Sequence, residues 1–172
     1  MAALFDIQAT YNLDSSISQL SSFAACAWTG TEWWVSQWNK DSIYTLSPTG
    51  AVTSAFRISG VGTTTSGVRS ITSDGTLLYL ADNTTTIKCV DPATKTVVST
   101  ITAVTLPFNC RAITYDPTIA GGAGGFWVSN FNTPIVQIDR NGNLLSSIPV
   151  ATHTLTGIYG LAVDLITAGG PF

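Results

Sequence analysis

An all-β fold assembled from repeated four-stranded antiparallel sheets is what this sequence predicts, on three observations. One segment recurs along the chain, its pieces are separated by tight-turn residues, and charged side chains are scarce. The reference segment is Val68–Ile101, VRSITSDGTLLYLADNTTTIKCVDPATKTVVSTI. Its four apolar or β-branched runs are each too short for a typical helix, and each is followed by turn chemistry.

Taken in order, Val68–Thr72 forms an inner strand, a, that ends at Ser73-Asp74-Gly75. There an aspartate bonds its own backbone and glycine accepts positive φ. Leu77–Ala81 is a continuous apolar run, the signature of a strand, b, covered on both faces. Ile87–Val90 forms strand c after Asp82-Asn83, and Asp91-Pro92-Ala93-Thr94 turns the chain. Thr96–Ile101 alternates β-branched with small polar residues, as a half-exposed outer strand d does.

The end of strand a recurs at Cys26, Ile71, Ile113 and Ala162, in steps of 45, 42 and 49 residues. Strand b recurs as Trp33-Trp34-Val35, Leu78-Tyr79-Leu80 and Phe126-Trp127-Val128. Strand c recurs from Ile43, Ile87 and Ile135. Strand d recurs as Val52-x-Ser54-x-Phe56, Val97-x-Ser99-x-Ile101 and Leu144-x-Ser146-x-Ile148. The longest step carries the Gly-rich insertion Ala120–Gly125, which a surface hairpin accommodates at small entropic cost. Four-stranded units at this period are β-propeller blades.

The expected organisation is a single propeller-type domain or fragment over residues 1–172, with three complete blades and parts of a fourth. Residues 1–17 hold the outer strand of a partial blade, 22–58 blade one, 67–101 blade two, 109–150 blade three, and 158–172 the start of a further blade. Such an arc leaves apolar flanks and open strand edges, which need cover. Closure into a small ring, completion by other chains as a homo-oligomer, and membership in a longer propeller all remain open, with an incomplete or assembling propeller preferred.

Seven Lys and Arg spread along 172 residues cannot make a phosphate-binding stripe, which argues against nucleic acid as a partner. No apolar run reaches the length of a membrane span, and Met1-Ala2-Ala3 lacks the regions of an export signal. The three cysteines show no metal-ligand spacing. Cys26 and Cys89 read as small core or strand residues, although a Cys89–Cys110 bridge between neighbouring blades is conceivable.

The units GVRSITSDGTLLYLADNTTTIKCVDPATKTVVSTI, CRAITYDP with FWVSNFNTPIVQIDRNGNLLSSI, and ATHTLTGIYGLAVD followed by AGGPF resemble propeller-type repeats of secreted proteins from Bacteroidota-like bacteria. More loosely they resemble NHL and YVTN repeat propellers. The resemblance spans nearly the whole chain and implies blades, a secreted or cell-surface location, and a chain that stops early. It implies no activity.

In propellers the b–c and d–a loops open on one face around the channel, where ligands bind. On this chain that face collects Trp38, Asn39, Asp82, Asn83, Asn130, Phe131 and Asn132 from b–c loops. Arg69, Arg111 and His153, together with Phe108 and Asn109, come from the d–a side. Aromatic platforms beside amides and guanidiniums are the chemistry of glycan or peptide recognition. The plainer reading is that Asn and Asp serve the turns and the aromatics plug blade seams. Arg69 and Arg111, in equivalent positions, either hold an anion or a partner's carboxylate as a pair, or bond carbonyls of neighbouring blades. Among the tryptophans, Trp33, Trp34 and Trp127 are expected in the core.

Catalysis finds little support. His153 is the sole histidine, no nucleophile elbow is present, and the repeated aspartates fall at turns. Glu32, the single glutamate, lies in an a–b hairpin on the opposite face, and Asp82 with Asn130 is a thin remnant of an ion site. The expected function is therefore a non-enzymatic, extracytoplasmic binding module for a glycan or protein partner, with no cofactor or metal. A self-assembling structural fragment is the alternative, and a lactonase-like hydrolase a more distant one.

Overall fold

The computed structural model describes residues 22–103 and 105–165. Twelve strands form three four-stranded antiparallel sheets within this range, each a meander in chain order. Blade one contains β1 (Phe23–Trp28), β2 (Trp33–Gln37), β3 (Ser42–Leu46) and β4 (Val52–Arg57). Blade two contains β5 (Ser70–Ser73), β6 (Leu78–Ala81), β7 (Thr86–Asp91) and β8 (Thr96–Thr102). Blade three contains β9 (Ala112–Asp116), β10 (Gly125–Ser129), β11 (Ile135–Asp139) and β12 (Leu144–Ile148). A short turn, α1 (Ile119–Gly122), in which Ala120 and Gly121 take left-handed φ of 56° and 69°, sits in the β9–β10 hairpin, and a single helical turn, α2 (Val150–His153), follows β12. The all-β, propeller-bladed architecture read from the repeat is the one found.

The continuous apolar run of β6 has a simple cause. Alternate side chains of a strand point to opposite faces. Leu78 and Leu80 join a core with Trp34, Ile43, Val68 and Ile71, between blades one and two. Tyr79 and Ala81 join a second core with Ile113, Phe126, Val128 and Ile138, between blades two and three. All four β6 residues are buried, because blade two is covered on both sides. Full burial of a leucine-sized side chain contributes about 2 kcal/mol, so both seams are substantial.

Where a blade has no neighbour among the described residues, the same alternation leaves side chains less covered. Trp34 is fully buried against blade two, but Trp33, one residue earlier, points to the other flank and is half-buried. Trp127 is likewise half-buried, while Phe126 and Val128 are fully buried against blade two. The expectation of core positions for Trp33 and Trp127 therefore fails in part. Cys26, expected as a small core or strand residue, is a strand residue exposed on the same flank of β1, and Cys89 and Cys110 are buried free thiols with no bridge between them.

The innermost strands stand side by side, β5 between β1 and β9. Side-chain hydroxyls stitch neighbouring blades together. Ser36 Oγ donates to Val68 O at 3.0 Å, and Ser70 Oγ donates to Ile113 O at 3.0 Å while accepting from Ile113 N at 3.2 Å. Tyr115 N donates to Thr72 Oγ1 at 3.0 Å.

Past α2 the chain returns to the inner face without forming the expected strand. Ile158 makes one antiparallel bridge to Phe131, and residues 159–164 have no ladder. A strand exists only with a partner for its backbone, and none of the described residues offers one there. The expected strand within residues 1–17 and the rest of the expected further blade, from 166 onward, lie outside the described residues.

Candidate functional site

The site begins at a close approach of backbones. Gly67, in the connection from blade one to blade two, donates its N–H to Trp38 O at 2.9 Å. A Cβ at Gly67 would overlap the carbonyl oxygens of Lys40 and Gln37, so only glycine lets the two loops meet. The b–c loop of blade one is thereby held against the start of blade two. As a result the Arg69 guanidinium lies over the Trp38 ring, 5.2 Å from its centroid.

Blade three repeats the pairing. Arg111 N donates to Ser129 O at 3.3 Å, as Arg69 N donates to Ala81 O at 2.7 Å, which places both arginines equivalently at the entry to an inner strand. Arg111 Cζ lies 4.0 Å from the Phe131 ring centroid and 5.3 Å from that of Tyr159. Phe131 and Tyr159 themselves meet edge to face, with centroids 5.2 Å apart at 81°. Cation–π contacts of this kind fix the guanidinium planes at small cost in solvation.

These side chains line a cavity of about 640 Å³, together with Phe23 and Ala24 of β1. Arg69, Ala24 and Tyr159 also border a smaller hollow of about 320 Å³ that runs between the inner strands and residues 159–163. The larger cavity thus opens over the axis on which β1, β5 and β9 converge. Among the described residues its lining carries two cations and no carboxylate.

The electrostatics follow. Arg69 is held below the ordinary guanidinium proton affinity, first by burial and then by the like charge of Arg111. Arg111 is lowered by burial, with Tyr159 opposing. Each Nε is buried and lacks a hydrogen-bond partner. The ion pairs among the described residues use the other two arginines, Arg57 with Asp41 at 3.1 Å and Arg140 with Asp74 at 2.9 Å.

Of the ten predicted site residues, the cavity brings together Trp38, Arg69, Arg111 and Phe131. The others support loops. Asp82 accepts from Gly62 N at 3.2 Å and Thr84 Oγ1 at 2.7 Å. Asn83 adopts φ of 64° and accepts from Asn130 Nδ2 at 3.4 Å, and Asn130 Nδ2 also donates to Asn109 O at 3.1 Å. Asn132 accepts from Gly157 N at 2.9 Å, and His153 Nδ1 from Leu155 N at 3.0 Å. Asn39 Oδ1 and His153 Nε2 are buried without partners, yet neither residue lines the cavity.

Phe23 and Tyr159 are the lining aromatics that sequence reasoning missed. Tyr159 is 67% exposed and meets Arg111 only through the fold, so no sequence signal pointed to it. Among the described residues, no group of three or more His, Cys, Asp or Glu side chains converges to hold a metal.

The chain matches no protein-family model, and no curated protein resembles it significantly. Among solved structures it is similar to the WD40 repeats of RRP9, with a TM-score of 0.53 at 13% identity. That match covers 74% of this chain and 38% of the other, so the chain spans well under half the length of that propeller. The three sheets and this likeness define a β-propeller-type repeat domain.

Proposed function

We propose that this chain is a non-enzymatic, extracytoplasmic interaction module that takes a protein partner on its channel-mouth face. One observation carries the reading. Trp38, Phe131, Tyr159 and Phe23 converge with two arginines on one open cavity of about 640 Å³, and the aromatics are between 39% and 67% exposed. Exposed aromatic and arginine anchors around a concavity are the composition of binding hot spots. Among the described residues the lining offers neither a nucleophile paired with a base nor an acid, which supports binding over hydrolysis. Resemblance of the repeats to those of secreted proteins supports the location outside the cytoplasm.

The test is selection of a peptide-display library and a glycan array on the wild type and on a Trp38→Ala, Phe131→Ala double variant. At least a tenfold loss of the selected binding is expected, with an unchanged circular dichroism spectrum. Binding that survives both substitutions removes this face. Fractionation of the source cells tests the location, and recovery only in the cytosol overturns it.

A second reading, assembly, is favoured by an apolar hollow of about 460 Å³ on the open flank of blade one, lined by Phe23, Cys26, Trp33, Val35 and Leu46. The matching side of blade two is sealed by blade one, so another copy's blade is a fitting cover. Light scattering at a multiple of 18.1 kDa that Trp33→Glu reduces to one copy supports it; a monomer at every concentration overturns it.

A further inference from the structure

We propose that Arg69 and Arg111 form a socket for a carboxylate of the partner, so that the segment seated on this face is an acidic peptide. The inference rests on the channel-mouth binding reading and assigns its ligand chemistry.

Two guanidiniums border one cavity whose lining, among the described residues, contains no counter-charge. Each guanidinium is stacked on an aromatic ring, at 5.2 Å for Arg69 on Trp38 and 4.0 Å for Arg111 on Phe131. Stacking sets the planes while leaving the hydrogen-bonding edges uncommitted, and each Nε is without an acceptor. A buried donor lacking an acceptor is costly, and a bound acceptor relieves that cost. The acceptor that suits planar forks is a carboxylate, which pairs side-on through two oxygens. Like charge adds to the preference, because an anion seated between the two cations offsets their repulsion; Arg69 is lowered first by burial and then by the charge of Arg111.

A neutral sugar fits less well. Stacking on a sugar needs open ring faces, and one face of Trp38 and one of Phe131 already carry guanidiniums. Inner-strand geometry leaves the space for a ligand: the position in β1 that corresponds to Arg69 and Arg111 in the repeat is Ala24, a small residue on the cavity wall. The edge-to-face pair of Phe131 and Tyr159 then shields the carboxylate from water on one side.

The four arginines of the chain give four Nε–Hε signals in a nitrogen–proton spectrum, which makes the proposal directly testable. The probes are acetyl-Ala-Glu-Ala-amide, its glutamine counterpart, glucuronate and inorganic phosphate. The expected result is a saturable shift of the Arg69 and Arg111 signals with the glutamate peptide, weakened by salt, with Arg57 and Arg140 unmoved and the glutamine peptide silent. Arg69→Gln and Arg111→Gln should each weaken the response at least tenfold.

A shift of equal size with the glutamine peptide overturns the proposal, as does a tighter response to glucuronate or phosphate than to the glutamate peptide. If the partner selected on the wild type depends on Trp38 and Phe131 but ignores both arginine variants, the carboxylate socket fails while the binding face stands. If it ignores all four substitutions, both fail.

Discussion

Arg140 Nη2 donates to Asp74 Oδ2 at 2.9 Å, joining the c–d turn of blade three to the a–b hairpin of blade two, 66 residues earlier in the chain. The same guanidinium donates to Tyr79 Oη at 2.7 Å, to Tyr115 Oη at 2.7 Å and, through Nε, to Ala123 O at 3.1 Å. Tyr79 and Tyr115 stack with centroids 6.1 Å apart, and Arg140 covers that stack at its solvent edge. One side chain thus gathers the outer face of the blade two–blade three seam. Because Arg140 is 39% exposed, its ion pair is partly screened, but Asp74 is only 9% exposed and would lose its counter-ion while keeping its bonds from Tyr79, Thr76 and Leu77. Arg140→Ala is expected to lower stability by about 1–3 kcal/mol in urea unfolding, with Arg140→Lys recovering only part of it.

The same cluster makes stability depend on acid. Burial by itself raises the Asp74 pKa, but hydrogen bonds from Leu77 N, Tyr79 Oη, Thr76 N and Arg140 outweigh it and hold the carboxyl below its ordinary value of 3.8. A carboxyl lowered on folding stabilises the native state above the unfolded pKa, and that contribution is lost as pH falls through the folded pKa. Melting temperatures measured from pH 6 downward should therefore decline below about pH 4. In Asp74→Asn the curve should start lower and fall less steeply, and an identical slope in the two proteins would remove Asp74 from the acid transition.

The blades were readable because the repeat fixes register as well as strand number. With b strands aligned on Trp34, Tyr79 and Trp127, the positions of Trp38 and Phe131 coincide, and with a strands aligned on Ile71 and Ile113, so do those of Arg69 and Arg111. Four of the cavity residues follow from that alignment. What it could not give is which flank each residue faces once the neighbours are counted. Trp33 and Cys26 match buried repeat positions yet lie where blade one has no described neighbour, and Tyr159 sits in a segment whose ladder did not form. The amides away from the cavity serve loops: Asn83 takes up the positive φ of a tight turn, and Asn132 Oδ1 accepts from Gly157 N, 25 residues further along the chain.

The register also exposes a device repeated in all three blades. The middle residue of each strand b bonds an acid from its own a–b hairpin: Trp34 Nε1 to Glu32 Oε1 at 3.0 Å, Tyr79 Oη to Asp74 Oδ2 at 2.7 Å, and Trp127 Nε1 to Asp116 Oδ2 at 3.0 Å. Asp116 is fully buried and also accepts from Thr118 N and Oγ1, so its removal strands three donors. Asp116→Ala should cost about 2–4 kcal/mol, whereas Trp127→Phe, which deletes a single donor, should cost about 1 kcal/mol. Equal losses in thermal unfolding would show that packing, rather than the hydrogen bond, holds the hairpin.

Thiol reactivity should separate the cysteines by blade position. Cys110 is fully buried and its thiol is pushed up to about 12, by burial first and then by the charge of Asp82. Burial also raises Cys89. Cys26 is exposed on the open flank of blade one. A disulfide reagent at neutral pH should modify one thiol quickly in the native state and all three in urea, and Cys26→Ser should abolish the fast phase. If assembly covers this flank, the fast phase should slow as protein concentration rises.

Gly67→Ala tests how the Arg69–Trp38 contact arises. Gly67 has no side chain to pack and no left-handed φ to justify it; what demands glycine is the approach of the Lys40 and Gln37 carbonyls. Both are backbone atoms of β2 and the loop after it, so neither can swing aside as a side chain would. A methyl group must push the b–c loop of blade one away from the entry of blade two, breaking the bond from Gly67 N to Trp38 O. Overpacking of this kind costs about 1–3 kcal/mol. The displacement should move the Arg69 Nε signal, because its guanidinium loses the Trp38 ring, and leave that of Arg111, whose aromatic partners belong to blade three and the segment after it. Movement of both signals would mean that the two arginines are coupled through the inner strands rather than positioned separately by their own loops.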